Sequence, residues 1–312
     1  MTLRPNQWPG ELGSQDAGPP ARDESAHGVL DRAIRTWSGS PPPAARRATP
    51  RVSVVIPAKN EAQNIGWVLA RLPEIVEEVV VVDGCSTDGT ADVTRSIRPD
   101  AIVIAEERRG KGTALRVGFE AASGEHVVMI DADGSMDPHE IPSFVAMLES
   151  GYDLVKGTRM AHGGGSADFS LIRSLGNRAL LETSNGLFAV SWTDLCYGFA
   201  AFRREAIIEL GLTATGFEIE AQLFLRALRS GLRVGEIPSF AAPRRSGVSN
   251  LNAVRDGWRV LLTMLSERSR PPVNHRASRP GESIAGPRRD PVGNQVEADP
   301  DLRQLMVGPA RK

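Results

Sequence analysis

The chain is 312 residues long and carries 37 Lys+Arg against 38 Asp+Glu, a formal net charge of -1. That balance argues against a dedicated nucleic-acid binder, which carries a strong basic excess, and two cysteines, Cys85 and Cys196, are too few for a disulfide framework. No run approaches the roughly 18 apolar residues of a membrane span, and the N-terminus has no apolar core of signal-peptide length, so a cytoplasmic location is expected, with peripheral contact at the inner membrane face left open.

Proline marks the ends of the folded region. Residues 1–50 hold eight of the 22 prolines and residues 271–312 hold seven. Both ends lack a sustained apolar period, so they bury too little surface to offset their ordering entropy. The expected organisation is a disordered tail over 1–50, a folded domain over 51–268 and a second disordered tail over 269–312. Within the first tail only Ala26–Trp37, with Leu30, Ile34 and Trp37 at helical spacing, offers a short weak helix.

Between the tails, apolar strands alternate with amphipathic helices. RVSVVIP, VEEVVVVDG, AIVIA and EHVVMIDADG read as strands, and EAQNIGWVLARLP, STDGTADVTRSI and KGTALRVGFEAASG as helices. Continuous apolar strands of this kind belong to a mostly parallel sheet covered on both faces, so residues 51–134 predict a Rossmann-like α/β layer. Beyond it, Pro138–Ser150 reads as a helix, YDLVKGTR as a strand, HGGGSAD as a loop and Leu171–Phe188 as a long helix. GFAAFRREAIIELG passes from strand to helix, GFEIEAQLFLRALRSG is a helix, LRVGEIPSF a strand, and Ser249–Ser266 a final amphipathic helix.

Ligands in open α/β sheets sit beyond the carboxyl ends of the strands, and the polar clusters fall there. Asp131-Ala132-Asp133 follows the VVMI run. Two carboxylates spaced i, i+2 on an extended chain point the same way and repel unless a cation joins them. Mg2+ or Mn2+ gripping a diphosphate fits, since hard cations take carboxylate, phosphate and water oxygens; a plain turn is the competing reading. Asp83 ends the VVVV run and could accept from a base or ribose, while Ser86 or Thr87 caps the next helix and Asp88 suits its first turn. Pro57 is expected to stop the first strand, Asn60 can cap the next helix, and Lys59 or Glu61 could face a nucleotide. Cations at element ends (Arg108, Arg109, Lys111, Arg159, Arg244 and Arg245) could meet a diphosphate, though surface cations are usually solvated. Glu218 and Glu220 open a helix on different faces, so one of them could enter the site as a base or acceptor-orienting group.

In this order and spacing, VVIPAKNE, VVVDGCSTDGT, GKGTALRVGFEAASGEHVVMIDADG and KGTR make residues 51–266 resemble family 2 glycosyltransferases of the GT-A fold. DLCYGFAAFRREAI, GFEIEAQLFLRALRSG and PRRSGVSNL look most like the dolichol- or polyprenol-phosphate sugar transferase branch. The resemblance implies a nucleotide-diphosphate sugar donor (UDP- or GDP-sugar), a polyprenyl phosphate acceptor, and inversion at the transferred sugar. It implies that Pro57, Lys59 and Glu61 meet the nucleotide, that Asp83 contacts it, and that Asp131 and Asp133 hold metal and diphosphate with Ala132 and Ser135 nearby. Arg159 matches the family's basic residue after the next strand, and Arg244 and Ser249 match its R-x-x-G-x-S segment. Asn250 stands where the branch often has Lys, and DGC replaces a two-Asp strand end. Three other readings compete: a transferase with a soluble hydroxyl acceptor, a sugar-phosphate nucleotidyltransferase, and a non-catalytic scaffold. PAKNE in place of a Gly-rich loop argues against the second, and intact Asp83, Asp131 and Asp133 against the third.

Overall fold

A computed structural model describes residues 50–108, 110–167 and 171–270. Nearly all of both expected tails, the helix considered at Ala26–Trp37, and Arg109 lie outside the described residues. The elements run β1 (Val52–Ala58), α1 (Ile65–Leu69), β2 (Val76–Asp83), α2 (Thr90–Ile97), β3 (Ile102–Ala105), α3 (Lys111–Ala121) and β4 (His126–Met129). A 3-10 turn (Pro138–Glu140) then leads into α4 (Ile141–Glu149), β5 (Leu154–Thr158), β6 (Gly165–Ser166) and α5 (Leu171–Phe188). The chain continues through β7 (Ala200–Arg203), α6 (Arg204–Ile208), α7 (Ile219–Arg229), β8 (Val234–Pro238), β9 (Phe240–Ala241) and α8 (Ala253–Ser269).

Seven strands form one sheet in the order β3-β2-β1-β4-β7-β5-β8. All neighbours are parallel except β7, which runs antiparallel to both β4 and β5. The expected mostly parallel α/β sheet is therefore what forms. The period of two along each strand builds two cores. Val55, Val80, Val82, Val127, Met129 and Phe202 face the layer of α3, α7 and α8. Val54, Ile56, Val79, Val81, Val128 and Ala201 face α1 and α4. Burial on both faces explains why these strands are apolar throughout rather than alternating.

The order reverses at β1: β2 and β3 lie to one side of it and β4 to the other. Such a switch point opens a crevice at the strands' carboxyl ends. Local details there differ from the sequence reading. Ser86 and Thr87 do not cap α2, whose N-cap is Gly89 at φ 87. Ser86 Oγ instead accepts from the Asn60 amide at 2.8 Å, and the Thr87 amide donates to Asn60 Oδ1 at 2.9 Å, so the two loops brace each other. Asn60 is correspondingly not the cap of α1; it sits at φ 56 between the loops. The HGGGSAD loop contains β6, which pairs with β9 in a separate two-stranded sheet. The final helix begins at Ala253, where Asn252 accepts from the Arg255 amide at 3.0 Å.

Candidate active site

A cleft of about 920 Å³ opens beyond the carboxyl ends of β1, β4 and β5. Pro57 reaches it from within β1, which runs on to Ala58 rather than stopping at the proline, Lys59 and Glu61 from the loop after β1, and Asp131, Ala132, Asp133 and Ser135 from the turn after β4. Lys111 comes from the start of α3, Arg159 from the end of β5, and Arg244 and Ser249 from the segment between β9 and α8. The strand expected to carry both aspartates ends at Met129, so the pair is set by a turn rather than an extended chain. The turn still brings both to one cleft, with the Ser135 amide donating to Asp133 Oδ1 at 3.0 Å.

Each aspartate meets a cation that it shares with a buried glutamate. Lys111 Nζ lies 2.6 Å from Asp131 Oδ1 and 2.7 Å from Glu220 Oε1. Arg244 lies 3.4 Å from Asp133 Oδ2 and 2.5 Å from Glu61 Oε1. Burial pushes Glu61 and Glu220 above the ordinary glutamate range, against the pull of Arg244 and Lys111 respectively. Burial also lowers Lys111, but Asp131 and Glu220 outweigh it and hold the ammonium above its usual pKa. Two backbone features make room for this group. Gly110, at φ 123, starts α3 where a Cβ would stand 2.0 Å from the Thr215 carbonyl. A Cβ on Gly198 would stand 2.8 Å from Lys111 Nζ, 2.9 Å from Glu220 and 3.1 Å from Asp131.

Arg159 is anchored from behind. It donates to both oxygens of the fully buried Asp194 at 2.7 and 2.9 Å and to the Cys196 carbonyl at 2.7 Å. Asp194 in turn sits beside Lys156, whose ammonium contacts the Asp194 carbonyl and Glu236. Burial lowers Lys156, with Glu236 opposing. Asp194, Lys156 and Glu236 were not singled out as site residues from the sequence, and Glu220 was raised there only as one of two acids. Glu220 had a signal, the paired acids opening α7. The other three are separated in sequence, and no spacing links them.

Two expected residues lie elsewhere. Glu218 does not line the cleft: its carboxylate accepts from the Thr215 and Gly216 amides and pairs with Arg259 at 2.8 Å. It closes the turn before α7, while Glu220 takes the place in the cleft expected of one of the two. Asp83 stands at the end of β2, mostly buried, accepting from the Ser86 amide at 2.9 Å, and the adjoining Gly84 lines the cleft in its stead. Among the other cations, Arg108 pairs with Glu106 at 2.8 Å, and Arg245 stacks over Trp67 at 4.8 Å.

The opposite wall is of another character. Ala179 and Leu180 of α5 and Val254, Trp258, Val260 and Leu261 of α8 line it, with Leu251 and Asn250 at its edge. The cleft thus has a charged end over the sheet and an apolar end between two helices.

Residues 53–211 match the family described as glycosyl transferase family 2. Among curated proteins, glycosyltransferase AglJ of Haloferax volcanii is 31% identical over 216 residues, covering 68% of this chain and 70% of that protein. The low-salt glycan biosynthesis hexosyltransferase Agl6 of the same organism is 34% identical over 225 residues, covering 69% of this chain and 53% of its own. Among solved structures, glucosyl-3-phosphoglycerate synthase from Mycobacterium tuberculosis, in complex with Mn2+, UDP and phosphoglyceric acid, superposes with a TM-score of 0.58 at 26% identity. That match covers 71% of this chain and 80% of the other.

Proposed function

This chain belongs to glycosyl transferase family 2, and on that premise we propose that it transfers a sugar, with inversion, from a nucleotide-diphosphate sugar to a polyprenyl phosphate, using residues 51–268 as its catalytic domain. The observation that carries the donor half is the convergence of Asp131 and Asp133 with Lys111 and Arg244 in one cleft. The UDP and Mn2+ named with the solved relative support it.

The residues fit a divalent cation by charge. Asp131, Asp133, Glu61 and Glu220 bring four carboxylates against the two cations Lys111 and Arg244, leaving two negative charges when all are ionised. No group of three or more His, Cys, Asp or Glu suited to a metal occurs among the described residues. Protein ligands from Asp131 and Asp133 alone, completed by phosphate oxygens and water, match how Mg2+ and Mn2+ are commonly held beside phosphates. Such an ion, when bound, supplies Lewis-acid neutralisation of a diphosphate.

The chain's own residues do the rest. Lys111 and Arg244 place fixed positive charge where the leaving diphosphate gains negative charge, and preorganised charge of this kind is usually the largest catalytic term. Asp194 holds the guanidinium of Arg159 against the cleft wall. Pro57, Lys59, Glu61 and Gly84 shape the nucleotide end, where Asp83 braces the Ser86 amide from behind, with Ala132 and Ser135 beside the aspartates. A polyprenyl phosphate oxygen is already anionic at neutral pH and needs no base, and its hydrocarbon suits the wall of Leu180, Val254, Trp258 and Leu261.

A hydroxyl acceptor is the second reading, favoured by Glu220, a buried carboxylate in the cleft whose raised pKa suits a general base. Thermal-shift titration with UDP- and GDP-sugars, with and without Mn2+, tests the donor half. Metal-dependent stabilisation is expected in the native chain and absent in Asp133→Ala; equal stabilisation in both overturns the site. Transfer assays with and without polyprenyl phosphate then separate the two acceptors.

A further inference from the structure

Helix α8 carries apolar side chains on its outward face as well as on the face that packs onto the fold. Its inward face carries Asp256 and Glu267, both buried, together with Val260 and Met264. Glu267 pairs with Arg226 of α7 at 2.8 Å. Its outward face carries Val254, Trp258, Leu262 and Leu265, exposed by 81, 62, 49 and 48%. These four are spaced by four, four and three residues, so they share an arc of about 80° on an ideal helix. A large apolar stripe turned to solvent on a surface helix marks an interaction site.

We propose that this outer face of α8 lies on an anionic lipid bilayer and presents the apolar end of the cleft to it. Two observations select a lipid surface. First, the stripe is continuous with the site: Val254 and Trp258 belong both to the exposed arc and to the cleft wall. Second, cations flank it without competing acids. Arg255, Arg259, Arg268 and Arg270 are at least partly exposed along the helix and just past it, whereas both acids of the helix, Asp256 and Glu267, are buried. The acidic partners of three of these arginines, Asp256, Glu218 and Glu267, all lie beneath the surface. Apolar residues facing outward between arginines, with a Trp among them, are what an interfacial helix needs to enter the headgroup region. No helix among the described residues is long and apolar enough to cross a membrane, and surface docking requires none.

This deepens the polyprenyl phosphate reading and rests on it for its purpose, since a lipid-borne acceptor must reach the cleft from a bilayer. The test keeps the two apart by using vesicles without polyprenyl phosphate. The full chain is floated with phosphatidylcholine vesicles and with vesicles containing three parts in ten phosphatidylglycerol, beside Leu262→Glu/Leu265→Glu, whose residues do not line the cleft. At least about tenfold stronger partition to the anionic vesicles is expected, weakened by salt and lost at least about tenfold in the variant, with donor-induced thermal stabilisation unchanged. Should the double variant fail to fold, Leu262→Gln alone is expected to weaken partition in the same direction. Equal partition of native and variant chains, or no partition of either, overturns the proposal. So does a dimer in sedimentation equilibrium that the variant dissociates, which would assign the face to a second copy. Absence of donor stabilisation in the native chain would instead count against the transferase site and leave the vesicle result standing.

Discussion

The half of the molecule from β1 to β4 and the half from β5 to α8 solve different problems. The first holds four parallel strands whose ends deliver short polar loops to one place, and the loops after β1 and β2 brace each other through Asn60, Ser86 and Thr87. The second reverses one strand, inserts a two-stranded sheet and buries ions: Lys156, Asp194 and Glu236 form a network behind Arg159. The first half brings its site loops together by strand register and ties their aspartates, which are partly exposed, to Lys111 and Arg244. The second holds Arg159 by buried electrostatics, which is costlier to disturb because an unpaired buried charge has nowhere to go.

Asp194→Ala tests that contrast most severely. It leaves Arg159 without its bidentate partner in a buried setting, and a loss of about 3–5 kcal/mol in denaturant unfolding is expected. Lys111→Met strikes the other half: kcat/KM is expected to fall by roughly 10²–10³-fold, as for loss of one preorganised electrostatic donor. Lys111→Met also removes the partner of buried Glu220, but that carboxyl, already raised by burial, can take up a proton instead; a loss of stability as large as that from Asp194→Ala would erase the distinction between the halves.

At the seam, Gly198→Ala adds a methyl group against Lys111, Glu220 and Asp131 at 2.8 to 3.1 Å. Overpacking costs about 1–3 kcal/mol, and here it is expected mainly as donor affinity weakened about tenfold in calorimetry, since the displaced groups belong to the site. The smallest effect concerns Glu78. Burial pushes its pKa up, but the Ser123 amide, Ser53 and the Ser123 hydroxyl outweigh that and hold it below the ordinary 4.5. The folded chain therefore binds this proton less readily than the unfolded one. The resulting stability is present above 4.5 and fades as pH falls through the lowered value. Ser53→Ala is expected to cost about 1 kcal/mol at neutral pH and to flatten that acid limb in thermal melts; an unchanged limb would remove Ser53 from the account.

The first half was the more legible in the sequence for the same physical reason that it is the more regular. Val79–Val82 and Val127–Ile130 are short, largely β-branched apolar runs that suit a strand covered on both faces, and Asp83 and Asp131 stand out because they end such runs. The second half hides its logic in pairings. Asp194 and Glu236 meet through Lys156 and Thr193 only once β5 and β8 lie side by side. Glu218 and Glu220 look equivalent as paired acids, and the turn at Gly216 decides which one closes that turn and which enters the cleft. In α8 the apolar spacing was visible, but the side it faces depends on Arg226 claiming Glu267.

Strand β7 joins these two solutions. It hydrogen-bonds to β4 along one edge and to β5 along the other, so the ladder passes from one half to the other through four residues, Ala200–Arg203. Neither half retains a complete hydrophobic layer without it, since Phe202 packs edge-on against Phe119 of α3 while Ala201 faces the opposite core. A single transition is accordingly expected in scanning calorimetry of the native chain, and Ala201→Pro, which would remove one rung of that ladder, is expected to split it in two.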